Sequence, residues 1–167
     1  MDKVPQIVLI GSTHKHLGKT TLICSFIRQL REEHRIAAIK IIPICDDACS
    51  IEEVSKKPED RGDTRKMRAA GADHVYLIRS HNDRIGEAIE KLLELISVEG
   101  IDLIILESTS ARSFIEPDCF ILLSSDHSEQ KSSARESAPL ADHQINIDSM
   151  DLDSISILSD TDGIRIS

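Results

Sequence analysis

The chain has 167 residues and a formal net charge of −9, short enough for one domain and long enough to bury a sizeable core. Its apolar residues are mostly aliphatic, with no Trp, one Tyr and three Phe, which argues against stacking on nucleic-acid bases, and the acidic balance argues against DNA, RNA or an anionic membrane as partner. No apolar run approaches the ~20 residues of a membrane span, and the N-terminal apolar stretch is too short for a secretory leader, so the expectation is a cytoplasmic protein with four reduced cysteines.

In chain order, residues 6–10 (QIVLI) form a short apolar run ending in a glycine loop, as a buried strand does. From Lys19 the sequence KTTLICSFIRQLREEH puts Leu22, Phe26, Ile27 and Leu30 on one stripe, which predicts an amphipathic helix facing a sheet. Residues 35–44 (RIAAIKIIPI) read as a second strand, apolar enough to be covered on both faces. The polar stretch 45–61, with Pro58 inside it and Gly62 after it, predicts a long loop, functional or disordered. A short helix over 64–70 is stopped by Gly71, and residues 74–80 (HVYLIRS) are a third strand. Ile85, Ile89, Leu92, Leu93 and Ile96 repeat at helical spacing, with Asn82 or Asp83 as cap and Gly100 as stop. Residues 101–108 (IDLIILES) and the run from Asp118 (DCFILLSS) complete five strands.

After position 126 the sequence turns polar, with only QINID and SISIL as candidate short strands. The expected fold is therefore a single α/β domain of three layers over residues 1–167, with a largely parallel central sheet, a core at about 4–123 and a less defined polar stretch over 124–167.

The chemistry concentrates in GSTHKHLGKTTL, residues 11–22. A strand leads into it and a helix begins at Lys19, the arrangement of a phosphate-binding loop of the P-loop NTPase fold: free N–H groups of the first helical turn point at phosphate and the helix dipole favours negative charge. Lys19 is positioned for the outer phosphates and the Thr20 hydroxyl for Mg²⁺, while Gly18 lets the backbone approach. The phosphate-binding residues read from the spacing are Lys15, His16, Leu17, Gly18, Lys19, Thr20 and Thr21. One position breaks the pattern, because Thr13 stands where the first loop glycine belongs and the nearest upstream glycine is Gly11. This predicts a reshaped loop whose path begins at Gly11.

A Mg²⁺–nucleotide site needs carboxylates near neighbouring strand ends. Glu107, directly after four apolar residues, is the strongest candidate, because such a carboxylate is costly without a partner. Asp63 reads equally as a site acid or a helix cap, and Asp46 and Asp47 equally as site acids or solvated loop. Thr20, Glu107 and Asp63 form the predicted metal set. His14 and His16 read first as solvated loop residues and second as phosphate contacts. Cys24 reads as core, and Cys45, Cys49 and Cys119 lack the spacing of a zinc site.

Three blocks, GKTTL (18–22), GDTRKMRAAGADHVYLI (62–78) and DLIILES (102–108), resemble in order and spacing the molybdopterin-guanine dinucleotide biosynthesis adaptor family (MobB-type) over roughly residues 4–123. The matching residues include Asp63, Thr64, Arg68, Ala70, Gly71 and Ala72. The resemblance implies GTP binding with slow hydrolysis, a homodimer, and service to a partner enzyme that assembles the molybdenum cofactor. It carries Gly18, Lys19, Thr20 and Thr21 to phosphates and Mg²⁺, and Asp63 and Glu107 to site acids.

The chain departs from that family at Thr13, at Leu17, at Ser108-Thr109 and at Pro43-Ile44-Cys45, and it has no Asn-Lys-x-Asp to fix guanine, so GTP over ATP follows from the resemblance alone. Two other readings remain open on the same fold. One is a small-molecule kinase with Arg65, Arg68 or Arg112 as clamp. The other is a nucleotide-switched partner-binding protein docking through 45–61 or the polar segment after 126.

Overall fold

In the computed structural model, which describes residues 4–54, 62–97, 99–127 and 130–167, the apolar runs become strands of one sheet. They are β1 (Gln6–Ser12), β2 (Ile36–Pro43), β3 (Cys49–Glu53), β4 (His74–Ser80), β5 (Leu103–Glu107), β6 (Cys119–Ser124) and β7 (His143–Asn146). Their order is β3-β4-β2-β5-β1-β6-β7, with every neighbouring pair parallel except β3, which lies antiparallel on β4 at one edge. The helices are α1 (Lys19–Leu30), α2 (Asp63–Ala70), α3 (Ile85–Ile96) and α4 (Ser132–Ser137), and a separate hairpin joins β8 (Ile157–Asp160) to β9 (Gly163–Ile166). No helix among the described residues is long and apolar enough to cross a membrane.

The two-residue period of the strands splits the core in two. Val8 and Ile10, Ile36 and Ala38, Leu103 and Ile105, and Ile121 and Leu123 face α1 and α2, where Leu22, Ile23, Phe26, Ile27, Leu30, Met67 and Ala70 cover them. Leu9, Ile39, Ile104, Leu106, Phe120 and Leu122 face the other way, onto Ile85, Ala88, Ile89, Leu92 and Ile96 of α3. Helix, sheet and helix thus stack as the three layers that a parallel sheet needs, since both of its faces are apolar. The same alternation carries past the apolar rows. Lys40 continues the row of Ile36 and Ala38, and Glu107 continues that of Leu103 and Ile105, so both point to the α1 side at the strands' carboxyl ends. There they are register partners.

Several details differ from the sequence reading. The stretch 45–61 is not all loop: Cys49–Glu53 forms β3, whose alternate residues half-bury against β4. Residues 55–61, including Pro58, lie outside the described residues. Neither Asn82 nor Asp83 caps α3. The His81 side chain accepts the Asp83 N–H and opens a short 3₁₀ turn, and α3 follows from Ile85 without a side-chain cap. That helix closes at Ile96, ahead of Gly100. Gly71 does stop α2, at φ 113°, a left-handed conformation that favours glycine.

The polar segment after 126 is also more ordered than its composition suggests. β7 pairs with β6, and Gln29 on α1 holds the carbonyl of Ile155 (3.0 Å) and the N–H of Ile157 (3.1 Å), both buried residues. Two apolar anchors, and not a periodic stripe, dock that stretch on α1.

Candidate functional site

The loop between β1 and α1 is set by the strand before it. β1 runs through Gly11 and Ser12, so the loop does not begin at Gly11 as the sequence suggested. Thr13 prolongs the strand: its N–H donates to the Leu123 carbonyl (2.8 Å) and its carbonyl accepts the Lys131 N–H (3.0 Å). Thr13 is 1% exposed, and its hydroxyl meets His14 Nδ1 at 2.6 Å. A residue with side-chain and backbone partners of this kind replaces the flexible glycine of the usual pattern.

Thr109 does similar work from the end of β5, with its hydroxyl accepting the Ser12 N–H (3.0 Å) and donating to the Ser12 carbonyl (3.1 Å). That close approach explains Gly11, where an added Cβ would stand 3.2 Å from both Thr109 Cα and the Phe120 ring. Leu17, where the MobB-type pattern has a small residue, is buried in the α1-side core and anchors the loop.

Beyond Thr13 the backbone turns open. His16 has φ 61° and Gly18 φ 92°, both left-handed. The first N–H to close onto the helix is that of Leu22, on the Gly18 carbonyl (3.0 Å). Among the described residues, no acceptor takes the N–H groups of residues 14–21. They belong to the first turn of α1 and the loop leading into it, where the helix dipole presents its positive end.

These groups border a hollow of about 370 Å³, lined by Lys15, His16, Leu17, Gly18, Lys19, Thr20 and Thr21 of the loop, and by Lys40, Asp63, Lys66 and Glu107. The structure therefore brings together all the loop residues read from the sequence and both acids. In a chain of net charge −9, four lysines face two carboxylates here.

The charges are tightly linked. Lys40 is hydrogen-bonded and ion-paired to Asp63 Oδ2, and its ammonium stands 3.6 Å from Glu107 Oε1. Burial pulls the Lys40 ammonium down, but the bond to Asp63 and the charges of Glu107 and Asp63 outweigh it and hold it above the ordinary value. The bond from Lys40 and, against some burial, the charges of Lys40 and Lys66 hold the Asp63 carboxyl below the usual range. The Thr20 hydroxyl donates to Glu107 Oε2 at 3.4 Å. Burial pulls the Lys19 ammonium below its ordinary value, opposed by Glu107 and reinforced by Lys131 and Lys40.

Thr20, Asp63 and Glu107 are all hard oxygen donors, the chemistry that Mg²⁺ prefers, and an ion there would take its remaining ligands from phosphate and water. The donor set fits, with Lys40 already against both carboxylates.

The other sequence candidates fall elsewhere. Asp63 is not a cap: it is the first residue of α2, after Gly62, and its carboxylate turns to Lys40. Asp46 accepts the Ala48 N–H in an exposed turn, and Asp47 gives its carbonyl to Arg84 (2.8 Å). His14 is not a solvated loop residue; Nε2 is buried with no hydrogen-bond partner among the described residues, whereas His16 is exposed. Cys24 and Cys119 are buried and Cys45 is exposed, and among the described residues no cluster of three or more His, Cys, Asp or Glu is arranged to hold a metal. Arg68 bonds the carbonyls of Ala72 and Asp73, Arg112 bonds that of Ile115 (3.1 Å), and neither they nor Arg65 line the hollow.

Lys40 and Lys66 are the lining residues that sequence reasoning missed, and Lys40 is the one set between both acids. Its signal was present, a lone cation inside an otherwise apolar strand, on the face shared with Glu107.

A second hollow of about 400 Å³ adjoins the first. It shares His16, Leu17, Gly18 and Thr21, and its far wall is Ile147, Met150, Asp151, Leu152 and Asp153. Leu152 overhangs the loop so closely that a Cβ at Gly18 would lie 2.6 Å from its Cδ1. No family model matches the sequence, and no curated protein matches it.

Proposed function

We propose that this chain binds a nucleoside triphosphate, with the phosphates on the loop at the start of α1. The observation that carries the reading is the run of backbone N–H groups from residues 14–21, which have no acceptor among the described residues and border a hollow lined by four lysines. Such a surface suits a polyphosphate, because donors and dipole are fixed before the anion arrives. Lys19 serves the outer phosphates. Thr20, with Asp63 and Glu107 directly or through water, would hold Mg²⁺, which supplies neutralisation of phosphate charge. Hydrolysis is slow on this reading, since no arginine or glutamine lines the hollow among the described residues.

The adjoining hollow supports a seat for base and ribose against Ile147, Met150 and Leu152. The Asp151 and Asp153 carboxylates only accept hydrogen bonds, and guanine offers two adjacent donors where adenine offers one, which favours GTP. Service to molybdenum cofactor assembly, or to a related cofactor, rests on the resemblance of residues 18–22, 62–78 and 102–108 to the MobB-type family.

Calorimetric titration with GTP and ATP, with and without Mg²⁺, tests the reading. Binding that is lost in Lys19→Ala and tighter for GTP is expected. Failure of both nucleotides to bind wild type overturns it.

A further inference from the structure

The acids meant for a metal are not free. Lys40 reaches them from β2, where the sheet register sets it beside Glu107, and its ammonium contacts Asp63 and lies 3.6 Å from Glu107 Oε1. Glu107 is 6% exposed, so its charge needs a nearby cation. The Thr20 hydroxyl, on the other side, bonds Glu107 Oε2. A cation thus already sits among the oxygens that a divalent ion would use.

We infer that Lys40 is a built-in counter-cation that competes with the divalent metal for Asp63 and Glu107, so that metal enters only as Lys40 withdraws. Two cations cannot share one pair of carboxylates without strong mutual repulsion, since unit charges a few ångströms apart in a partly buried site interact strongly. The first consequence is that the protein alone holds divalent metal poorly. A second follows for anions: Lys40 offsets one of the two carboxylate charges, and with Lys15, Lys19 and Lys66 the hollow stays positive enough to accept phosphate without metal. A third is that metal, on taking the acids, frees the Lys40 ammonium for the phosphates, so cation number near the ligand rises in one step. These consequences for nucleotide rest on the reading proposed above. The competition itself is a property of three side chains.

The test uses Mn²⁺ alone, an oxygen-preferring probe whose free ion is read by electron paramagnetic resonance. Wild type, Lys40→Met and Lys40→Gln are titrated. Gln keeps a hydrogen-bond donor for the carboxylates, so it decides the question if Lys40→Met does not fold. Both variants are expected to bind Mn²⁺ about tenfold or more tightly than wild type, the size of an ordinary coupling between two sites. Adding Asp63→Asn to Lys40→Gln is expected to remove most of the gain. Equal Mn²⁺ affinity in wild type and Lys40→Gln, or a gain that survives Asp63→Asn, overturns the inference.

GTP titrations of the same proteins form a separate arm. The Mg²⁺ enhancement of GTP affinity is expected to be smaller in Lys40→Gln than in wild type, because the variant already holds metal without nucleotide and has no ammonium to release to the phosphates. If GTP binds none of them, the nucleotide reading fails and the Mn²⁺ arm still decides the role of Lys40.

Discussion

Replacing Lys19 with Met should strengthen the empty protein while removing its response to ligand. Lys19 is the first residue of α1, so its cation faces the positive end of the helix, and burial pulls its ammonium below the ordinary value. A cation at a helix N-terminus costs about 0.3–1 kcal/mol, and Met is nearly as good a helix former as Lys. The variant should therefore gain about 1 kcal/mol, or ~2–4 °C in melting temperature for a chain of this size. The depressed value belongs to the folded state, so charging Lys19 opposes folding at neutral pH. The difference between the two proteins should shrink as pH rises through the depressed value and vanish above the ordinary 10.5.

With nucleotide the order reverses. At about 100 times its Kd, ligand stabilises wild type by ~2.7 kcal/mol, or ~5–11 °C. A charge-assisted contact is worth about 1.5–3 kcal/mol, roughly 10- to 150-fold in affinity. At the same ligand concentration a variant binding about 100-fold more weakly gains only ~0.4 kcal/mol, or ~1 °C. Differential scanning fluorimetry with and without GTP and Mg²⁺ reads both effects. A Lys19→Met protein that melts below wild type when empty, or shifts as far as wild type with GTP, refutes the reasoning.

Gly18→Ala should cost about 1–2 kcal/mol in urea denaturation for its left-handed backbone, plus the contact with Leu152. Made in the Leu152→Ala background, Gly18→Ala should cost only the backbone part, and equal costs in both backgrounds would rule the contact out. Asp151→Asn with Asp153→Asn should reduce the preference for GTP over ATP about tenfold while leaving tripolyphosphate binding unchanged, as competition calorimetry would read. A thiol reagent at neutral pH should label exposed Cys45, while Cys24 and Cys119 react only on unfolding; burial pushes the Cys119 thiol up to about 12. Rapid labelling of Cys119 in the folded protein would contradict its packing at the start of β6.

β1, β2, β4, β5 and β6 were legible because each is largely apolar on both faces and bounded by polar turns. β4 matches its expected limits of 74–80, and β2 is one residue shorter at each end than expected. β3 was hidden because an antiparallel edge strand packs only one face, and CSIEE reads as polar loop until β4 is beside it. The spacing around Gly18-Lys19-Thr20 pointed to the loop that borders the hollow, and the apolar run before Glu107 to a carboxylate that lines it. Lys40 was not found because reading along the chain ranks it as one charge in a strand. Only the pairing of β2 with β5 sets it opposite Glu107, and only α2 brings Asp63 to it. Thr13 was misread for the same reason, since its partners Leu123 and Lys131 are distant in sequence.

That distance bears on how the protein is made. β1 leaves the ribosome before β2 to β7, yet its two neighbours are β5 and β6, and the bonds that fix Thr13 come from residues 123 and 131. At ~5–20 residues per second the loop waits on the order of ten seconds for these partners. During synthesis the nascent chain therefore carries the loop residues before the bonds that hold Thr13 can form. The anchor of the loop is set late, by the closing of the sheet around β1, so a chain released before β6 would hold every residue that lines the hollow and lack the bonds that fix Thr13.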